Sequence, residues 1–416
     1  MDKRISKGKL TKERHKQQTC KVYEVKIDKS HLSIRSLNFL KTLFKEAKWF
    51  YNYCLSHEDM NTVDTKVKEV PVKTPNGFEI RKFEVLQGQV KQSIRSKIFD
   101  SLISLSRLKK KGNKVGRLKF KSFIDSIPLV QYNKTHFLNF NVNKLRIQGL
   151  KTWLRVNGLD QIPKDVEFAN ATLIRKTGDY YLNITTYKDK EIKEIPNAII
   201  GMDFGCDTQL TFNNGIKLNF EIPISKRIRK LDRKIMRKNR KKSNNKFKDQ
   251  AKRRKTYNKL TNQKKDIKNK IVNAITSCFK YVGFQNENIK AWQSINHGKK
   301  VTNTSIGGII SDLKKKSHTP IMIDKYFPST QLCPNCEKKN KLKLSERVYS
   351  CECGYNEDRD LKSAMCIRDE GMKQIPMGHR EFTLEEISTS VFLTKLSKIN
   401  LVKVSKLKSL SQEATI

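Results

Sequence analysis

The chain has 416 residues, with 87 Lys or Arg against 41 Asp or Glu, so its net charge is +46. That length holds about two to four domains, and a field this positive repels itself unless a polyanion neutralises it. The balance points to nucleic acid and away from an ordinary metabolic enzyme. No apolar run is long enough to span a membrane. The opening segment, MDKRISKGKLTKERHKQQ, lacks the apolar core of a signal peptide and reads as a flexible basic arm. A cytoplasmic, nucleoid-associated protein without a membrane partner is expected.

In chain order, residues 20–28 alternate apolar and polar and predict a strand. Ile34, Leu37, Leu40, Phe44, Ala47, Tyr51 and Cys54 then recur at helical spacing, predicting an amphipathic helix to about Leu55. Trp49, Phe50 and Tyr51 on that helix fit core packing better than base stacking. Residues 58–82 are polar and predict a loop with turns at Pro71, Pro75 and Asn76-Gly77. Val90, Ile94, Ile98, Leu102 and Leu105 mark a second helix, which stops at the basic run before Gly112. Strand patterns return over 145–156 and 169–186, with Thr177-Gly178-Asp179 as a hairpin turn. These strands suit an antiparallel barrel or half-sandwich that includes the strand at 20–28.

Pro196 opens a new unit. Ala198–Asp203 is a nearly continuous apolar strand of the kind buried on both faces, followed by a meander around Asn213-Asn214-Gly215. Residues 226–270 hold 22 Lys or Arg and three acids among 45 residues, too basic for an ordinary solvated face. Lys226, Arg227, Arg229, Lys230, Arg233, Arg237, Arg253 and Arg254 are therefore candidates for tracking a phosphate backbone, as are Lys119 and Lys121 earlier in the chain. A helix from Lys264 to Phe279 and strands at 281–284 and 319–323 complete the pattern.

Nine cysteines are present, and Cys333, Cys336, Cys351 and Cys353 fall within 21 residues. Two thiolate pairs on two tight turns can complete a tetrahedral sulfur site, so Zn²⁺ in a structural role is expected. Gly354 suits a turn that needs positive φ. The remaining five cysteines fit ordinary core thiols in a reducing compartment. Three acids stand where acids are unusual: Asp203 after a buried strand, Glu287 after the strand at 281–284, and Asp360 opening a helix. Asp360 shares a helical face with Ala364 and Ile367, whereas Asp358 lies about 200° away on a helical projection. Converging carboxylates hold Mg²⁺ or Mn²⁺, and two such ions can hydrolyse a phosphodiester. Each acid alone could equally cap a helix or pair with a lysine.

Five motifs together, Gly201-Met202-Asp203-Phe204-Gly205, Glu287-Asn288-Ile289, Cys333-Pro334-Asn335-Cys336, Cys351-Glu352-Cys353-Gly354 and Asp358-Arg359-Asp360-Leu361-Lys362-Ser363-Ala364, resemble those of the insertion-sequence-encoded TnpB proteins and the related compact type V CRISPR effectors. Phe327-Pro328-Ser329-Thr330 and Lys119-Phe120-Lys121-Ser122 add to the resemblance, whose specific motifs cover residues 198–367.

The resemblance implies a multidomain α+β protein. Residues 1–32 would be the basic arm and first strand of an OB-like wedge barrel, 33–116 a helical recognition insertion and 117–195 the rest of the barrel. A RuvC-like nuclease domain of RNase H fold would span 196–325, with its basic helical segment at 226–280. A zinc ribbon at 326–355 and the last RuvC helix at 356–372 would follow, then a C-terminal tail at 373–416, open to disorder. It also implies RNA-guided cleavage of double-stranded DNA, with guide RNA as cofactor and Asp203, Glu287 and Asp360 as catalytic cation ligands. The family's third acid maps to Asp360 rather than Asp358. Lys362 stands where the family has Asn or His, and is expected to weaken cation binding or contact a phosphate. The shortened Cys351–Cys353 pair is a second departure. Whether Trp292 stacks a nucleotide beside Glu287, whether the setting is a transposon or a CRISPR array, and the oligomeric state stay open. Rival readings are a cleavage-inactive RNA-guided repressor, a DNA-joining transposase and a ribosome-associated zinc-ribbon RNA binder.

Overall fold

The structure, a computed structural model, describes residues 7–129, 137–191, 194–238, 243–294, 298–343, 345–380, 382 and 385–407. The first six residues of the expected arm, 239–242 of the basic run and 408–416 of the expected tail lie outside these. The chain forms two compact mixed α/β units, Met1–Ile192 and Lys193–Ile416.

The first unit runs α1 (Lys7–Gln17), β1 (Gln18–Ile27), α2 (Ile34–Leu55), β2 (Glu69–Thr74), β3 (Gly77–Lys82), α3 (Gly88–Lys110), β4 (Ser126–Leu129), β5 (Leu138–Asn139), β6 (Lys144–Leu145), β7 (Leu154–Asn157), β8 (Glu167–Lys176) and β9 (Asp179–Asp189). Its antiparallel sheet has the order β4-β8-β9-β1-β7-β6-β5. The β8–β9 turn places Thr177 at φ 53° and Gly178 at φ 83°, the left-handed pair a tight hairpin requires. Phe50 and Cys54 of α2 are fully buried, whereas Tyr51 stays half-exposed under the Lys121 ammonium, 4.2 Å from its ring centre.

Two expectations for this unit change. Residues 7–17 of the basic arm are helical, and α1 is held at its end. Arg14 bonds Glu167 at 2.6 Å, and His15 stacks on Tyr187 with ring centres 3.6 Å apart. The supposed loop at 58–82 contains the β2–β3 hairpin, turned at Gly77 with φ 119°. Its period-2 signal is hidden because Val70 is buried while Phe78 and Ile80 face solvent.

The second unit comprises β10 (Ile199–Phe204), β11 (Leu210–Phe212), β12 (Ile216–Asn219), α4 (Lys226–Arg237), α5 (Asn244–Thr276), β13 (Tyr281–Gln285), α6 (Ile289–Ser294), α7 (Gly298–Asn303), α8 (Ile306–Lys316), β14 (Thr319–Ile323), β15 (Val348–Ser350), β16 (Asn356–Asp358), α9 (Arg359–Lys373), α10 (Glu385–Ser397) and β17 (Lys403–Lys406). The main sheet has the order β14-β13-β10-β11-β12-β17. β13 and β14 run parallel to β10, while β11, β12 and β17 pair antiparallel. Helix α5 begins at Asn244, well before the expected Lys264, and ion pairs link its first half to α4 and the residue that follows it. Lys238 bonds Asp249 at 2.9 Å, and Arg253 pairs with Asp232.

The expected tail is structured where it is described. Phe392 and Leu396 of α10 are fully buried, and Phe392 meets Phe212 and Phe279 edge-on at 5.1 and 5.2 Å. β17 then closes the sheet edge beside β12. Apolar burial at i and i+4 is what orders this segment.

Candidate active site and metal centre

β10 reads as an apolar run because both its faces are covered, and α9 lies across it. Gly201 makes this possible. A Cβ there would stand 2.4 Å from the Ala364 carbonyl oxygen and 2.7 Å from the Arg368 nitrogen. Only a residue without a side chain admits the helix so closely. Gly201 is in register with Gly283 of β13. The first turn of α9, with Asp360, is thereby carried to the sheet end where Asp203 emerges and where Glu287 follows β13.

Asp203, Glu287 and Asp360 line one cavity of about 640 Å³, whose other walls include Lys325, Arg347 and Arg359. Burial pushes the Asp203 carboxyl up to about 8, with the charges of Asp360 and Glu287 adding to the effect. Burial also raises Glu287. Without a counter-cation, the site keeps a proton that ordinary carboxylates would have lost. Arg359 Nε lies 3.4 Å from Asp360 Oδ1 and supplies part of the missing charge. Among the described residues, the four cysteines are the group whose donor atoms all fall within 4.8 Å, so the three acids are spread more widely.

Neighbouring polar residues have other tasks. Asp358 caps α9, accepting from the backbone N–H groups of Asp360 at 3.1 Å and Leu361 at 3.0 Å. Both its oxygens take the Lys217 ammonium at 2.9 Å. Asp207, a pocket acid that sequence reasoning passed over, is held by Lys300 and by Arg347 at 2.9 Å. Its carboxyl is lowered by those bonds and is already neutralised. Lys362 does not point to the cavity or to solvent. It is fully buried, donating to the carbonyls of Ser329 and Leu332 at 2.9 Å each, with its ammonium 4.0 Å from the Tyr349 ring centre. The expectation of a phosphate contact is therefore corrected, because a lysine with two carbonyl partners inside the protein is a brace. Trp292, on α6, packs half-buried against the apolar core rather than lining the cavity.

The cysteines converge as their spacing suggests. Cys333 Sγ lies 3.6 Å from Cys353 Sγ, and Cys336 Sγ 3.5 Å from Cys351 Sγ. A tetrahedron with Zn–S bonds of about 2.3 Å has edges of about 3.8 Å, so the four sulfurs fit zinc with little movement. Glu337 at φ 56° turns the first knuckle and Gly354 at φ 85° the second. A Cβ at Gly354 would meet nothing within 4 Å, so the requirement there is conformational rather than steric. The Cys353 backbone N–H, followed by the neighbouring thiols, lowers the Cys351 thiol to about 6, which favours a thiolate before any metal arrives.

The basic candidates lie on α4 and α5, where Lys226, Arg227, Arg229, Lys230, Arg233, Arg237, Arg253 and Arg254 are exposed. Lys119 and Lys121 are exposed in the first unit, and the Asn52 side chain grips the Lys121 backbone through two bonds of 2.9 Å.

A sheet-end cluster of acids and a four-cysteine cluster are two arrangements able to hold metal ions. Residues 309–367 match the Cas12f1-like TNB domain. A protein of Streptomyces pristinaespiralis named "Putative RNA-guided DNA endonuclease" is 40% identical over 53 residues, which are 12% of this chain and 13% of that relative. The match therefore spans a small part of the relative's length. The likeness to Cas12f1-like proteins thus rests on the TNB segment, residues 309–367.

Proposed function

We propose that the protein is an RNA-guided DNA endonuclease with a RuvC-like site, and that its second unit is the nuclease core of RNase H type. One observation carries the reading. Three carboxylates from separate elements share a cavity, with the Asp203 carboxyl raised to about 8 in a chain of net charge +46. The name of the Streptomyces relative supports the same activity.

Asp203, Glu287 and Asp360 would hold Mg²⁺ or Mn²⁺, which when bound activates water and stabilises the departing oxygen. The chain's own residues do the rest. Lys325, Arg347 and Arg359 draw a phosphodiester to the cavity, and the basic faces of α4 and α5 track a nucleic-acid backbone by charge alone. The sulfurs of Cys333, Cys336, Cys351 and Cys353 would hold a structural zinc, leaving no open position for water. Lys119 and Lys121 are candidates for a phosphate contact within the first unit.

Sequencing the RNA that copurifies with the protein tests the reading. A defined transcript with a variable end is expected, and random cellular RNA would contradict it. Incubating that ribonucleoprotein with matched DNA and Mg²⁺ separates cleavage from mere binding. Cut ends without strand-transfer products are expected.

A further inference from the structure

From the wall of the acid cavity, where Gln285 and Ser329 lie, a buried polar chain runs inward and joins three segments distant in sequence. Ser363 Oγ donates to Ser329 Oγ at 2.9 Å, and Ser329 Oγ donates to Gln285 Oε1 at 2.9 Å. Gln285 Nε2 donates to the carbonyls of Phe327 at 2.8 Å and Asp324 at 3.3 Å. Lys362 ties the carbonyl of Ser329 to that of Leu332, the residue before the first ribbon cysteine. Cys366 Sγ reaches the same Leu332 carbonyl at 3.6 Å. Gln285, Ser329, Lys362 and Ser363 are each less than a tenth exposed.

The position of this chain is informative. Gln285 ends β13 two residues before Glu287, and Glu287 N–H donates back to the Gln285 carbonyl at 2.9 Å. Lys362 and Ser363 sit in the helical turn that begins at Asp360. One end of the network thus fixes Glu287, another fixes Asp360, and a third is anchored at the foot of the ribbon. Burying four polar side chains costs more than apolar packing would unless each is satisfied, and here each has a partner. Polar residues behind ligands commonly set ligand orientation and thereby metal affinity.

We propose that Gln285, Ser329, Lys362 and Ser363 are positioning residues that couple the cysteine ribbon to the acid cavity by setting the separation of the Glu287 and Asp360 carboxylates. The inference rests on the reading of those acids as divalent-cation ligands. Lys362 and Ser363 stand outside the cavity lining, whereas Gln285 and Ser329 are part of it.

The test is Mn²⁺ binding to the purified protein, followed by the electron paramagnetic resonance signal of free Mn²⁺, with no nucleic acid or cleavage involved. Ser329→Ala and Lys362→Met are the variants, and Phe392→Ala, in the core beneath α10, is the control for general loss of stability. Ser329→Ala and Lys362→Met should each weaken Mn²⁺ binding by about tenfold or more, and Phe392→Ala should change it less than twofold despite a lower melting temperature. The thiolate-to-cobalt absorption of Co²⁺-loaded protein should survive in Ser329→Ala, showing that the ribbon is intact. If Ser329→Ala fails to fold, Ser363→Ala takes its place with the same expectation. Unchanged Mn²⁺ affinity in the network variants, or an equal loss in Phe392→Ala, overturns the inference. Asp360→Asn distinguishes the two levels. If it leaves Mn²⁺ binding intact, the reading of the acids fails. If it abolishes binding while Ser329→Ala does not weaken it, only the network fails.

Discussion

Gly201 is the residue on which the site's geometry turns. Any side chain there meets α9 backbone below 3 Å. Gly201→Ala should lower unfolding stability by about 1–3 kcal/mol and depress cleavage by shifting Asp360, as read by denaturant titration and a cleavage assay. Asp203 yields a prediction in pH. Its carboxyl ionises near 3.8 in an open chain and at about 8 in the fold. Between those values the folded state holds a proton that the unfolded chain has released. Cation-free protein should therefore lose stability as pH rises through that window and level off above it. Asp203→Asn should flatten the slope in melting experiments. The three acids were legible from sequence because carboxylates at the ends of apolar strands are conspicuous in so basic a chain. Gln285, Ser329 and Ser363 were not, since short polar residues show no period. Lys362 read as a residue that weakens cation binding or contacts a phosphate, whereas its helix buries it.

Among the elements, α9 separates two neighbouring acids by role. Asp358 caps the helix and neutralises Lys217. Asp358→Ala should cost about 2 kcal/mol from the lost cap and the stranded ammonium. Asp360→Ala should abolish cleavage with little loss of stability, because it removes a poorly compensated charge. Chemical denaturation beside a cleavage assay distinguishes the pair. β10 and β13 were legible because strands covered on both faces read as continuous apolar runs. The β2–β3 hairpin was not, because its outer side chains face solvent on both strands. α10 escaped notice for a different reason: its buried Phe392 and Leu396 are spaced by a single helical turn, and the exposed Val391 beside Phe392 blurs the period. The convergence of the four cysteines was legible, since cysteine spacing near two turns carries its own geometry.

For the whole molecule, excess charge is the dominant physical fact, and α4 and α5 concentrate it on exposed faces. Each phosphate contact contributes about 0.7 to the slope of log affinity against log salt for single strands and about 0.9 for duplexes. Replacing Arg229, Arg233 and Arg237 with Gln should reduce that slope by about 2 to 3 in a filter-binding or fluorescence titration, with melting temperature unchanged. Composition alone points to a polyanion. The division into two compact units followed from the change of pattern near Pro196, although which strands closed each sheet needed tertiary contacts that no local pattern records. The central claim is that Asp203, Glu287 and Asp360 form one divalent-cation site for DNA hydrolysis. It is tested most directly by incubating the copurified ribonucleoprotein with guide-matched DNA in Mg²⁺, for the natural protein and for Asp203→Ala. The account predicts cut DNA for the former and bound, uncut DNA for the latter, whereas equal cleavage by both would contradict it.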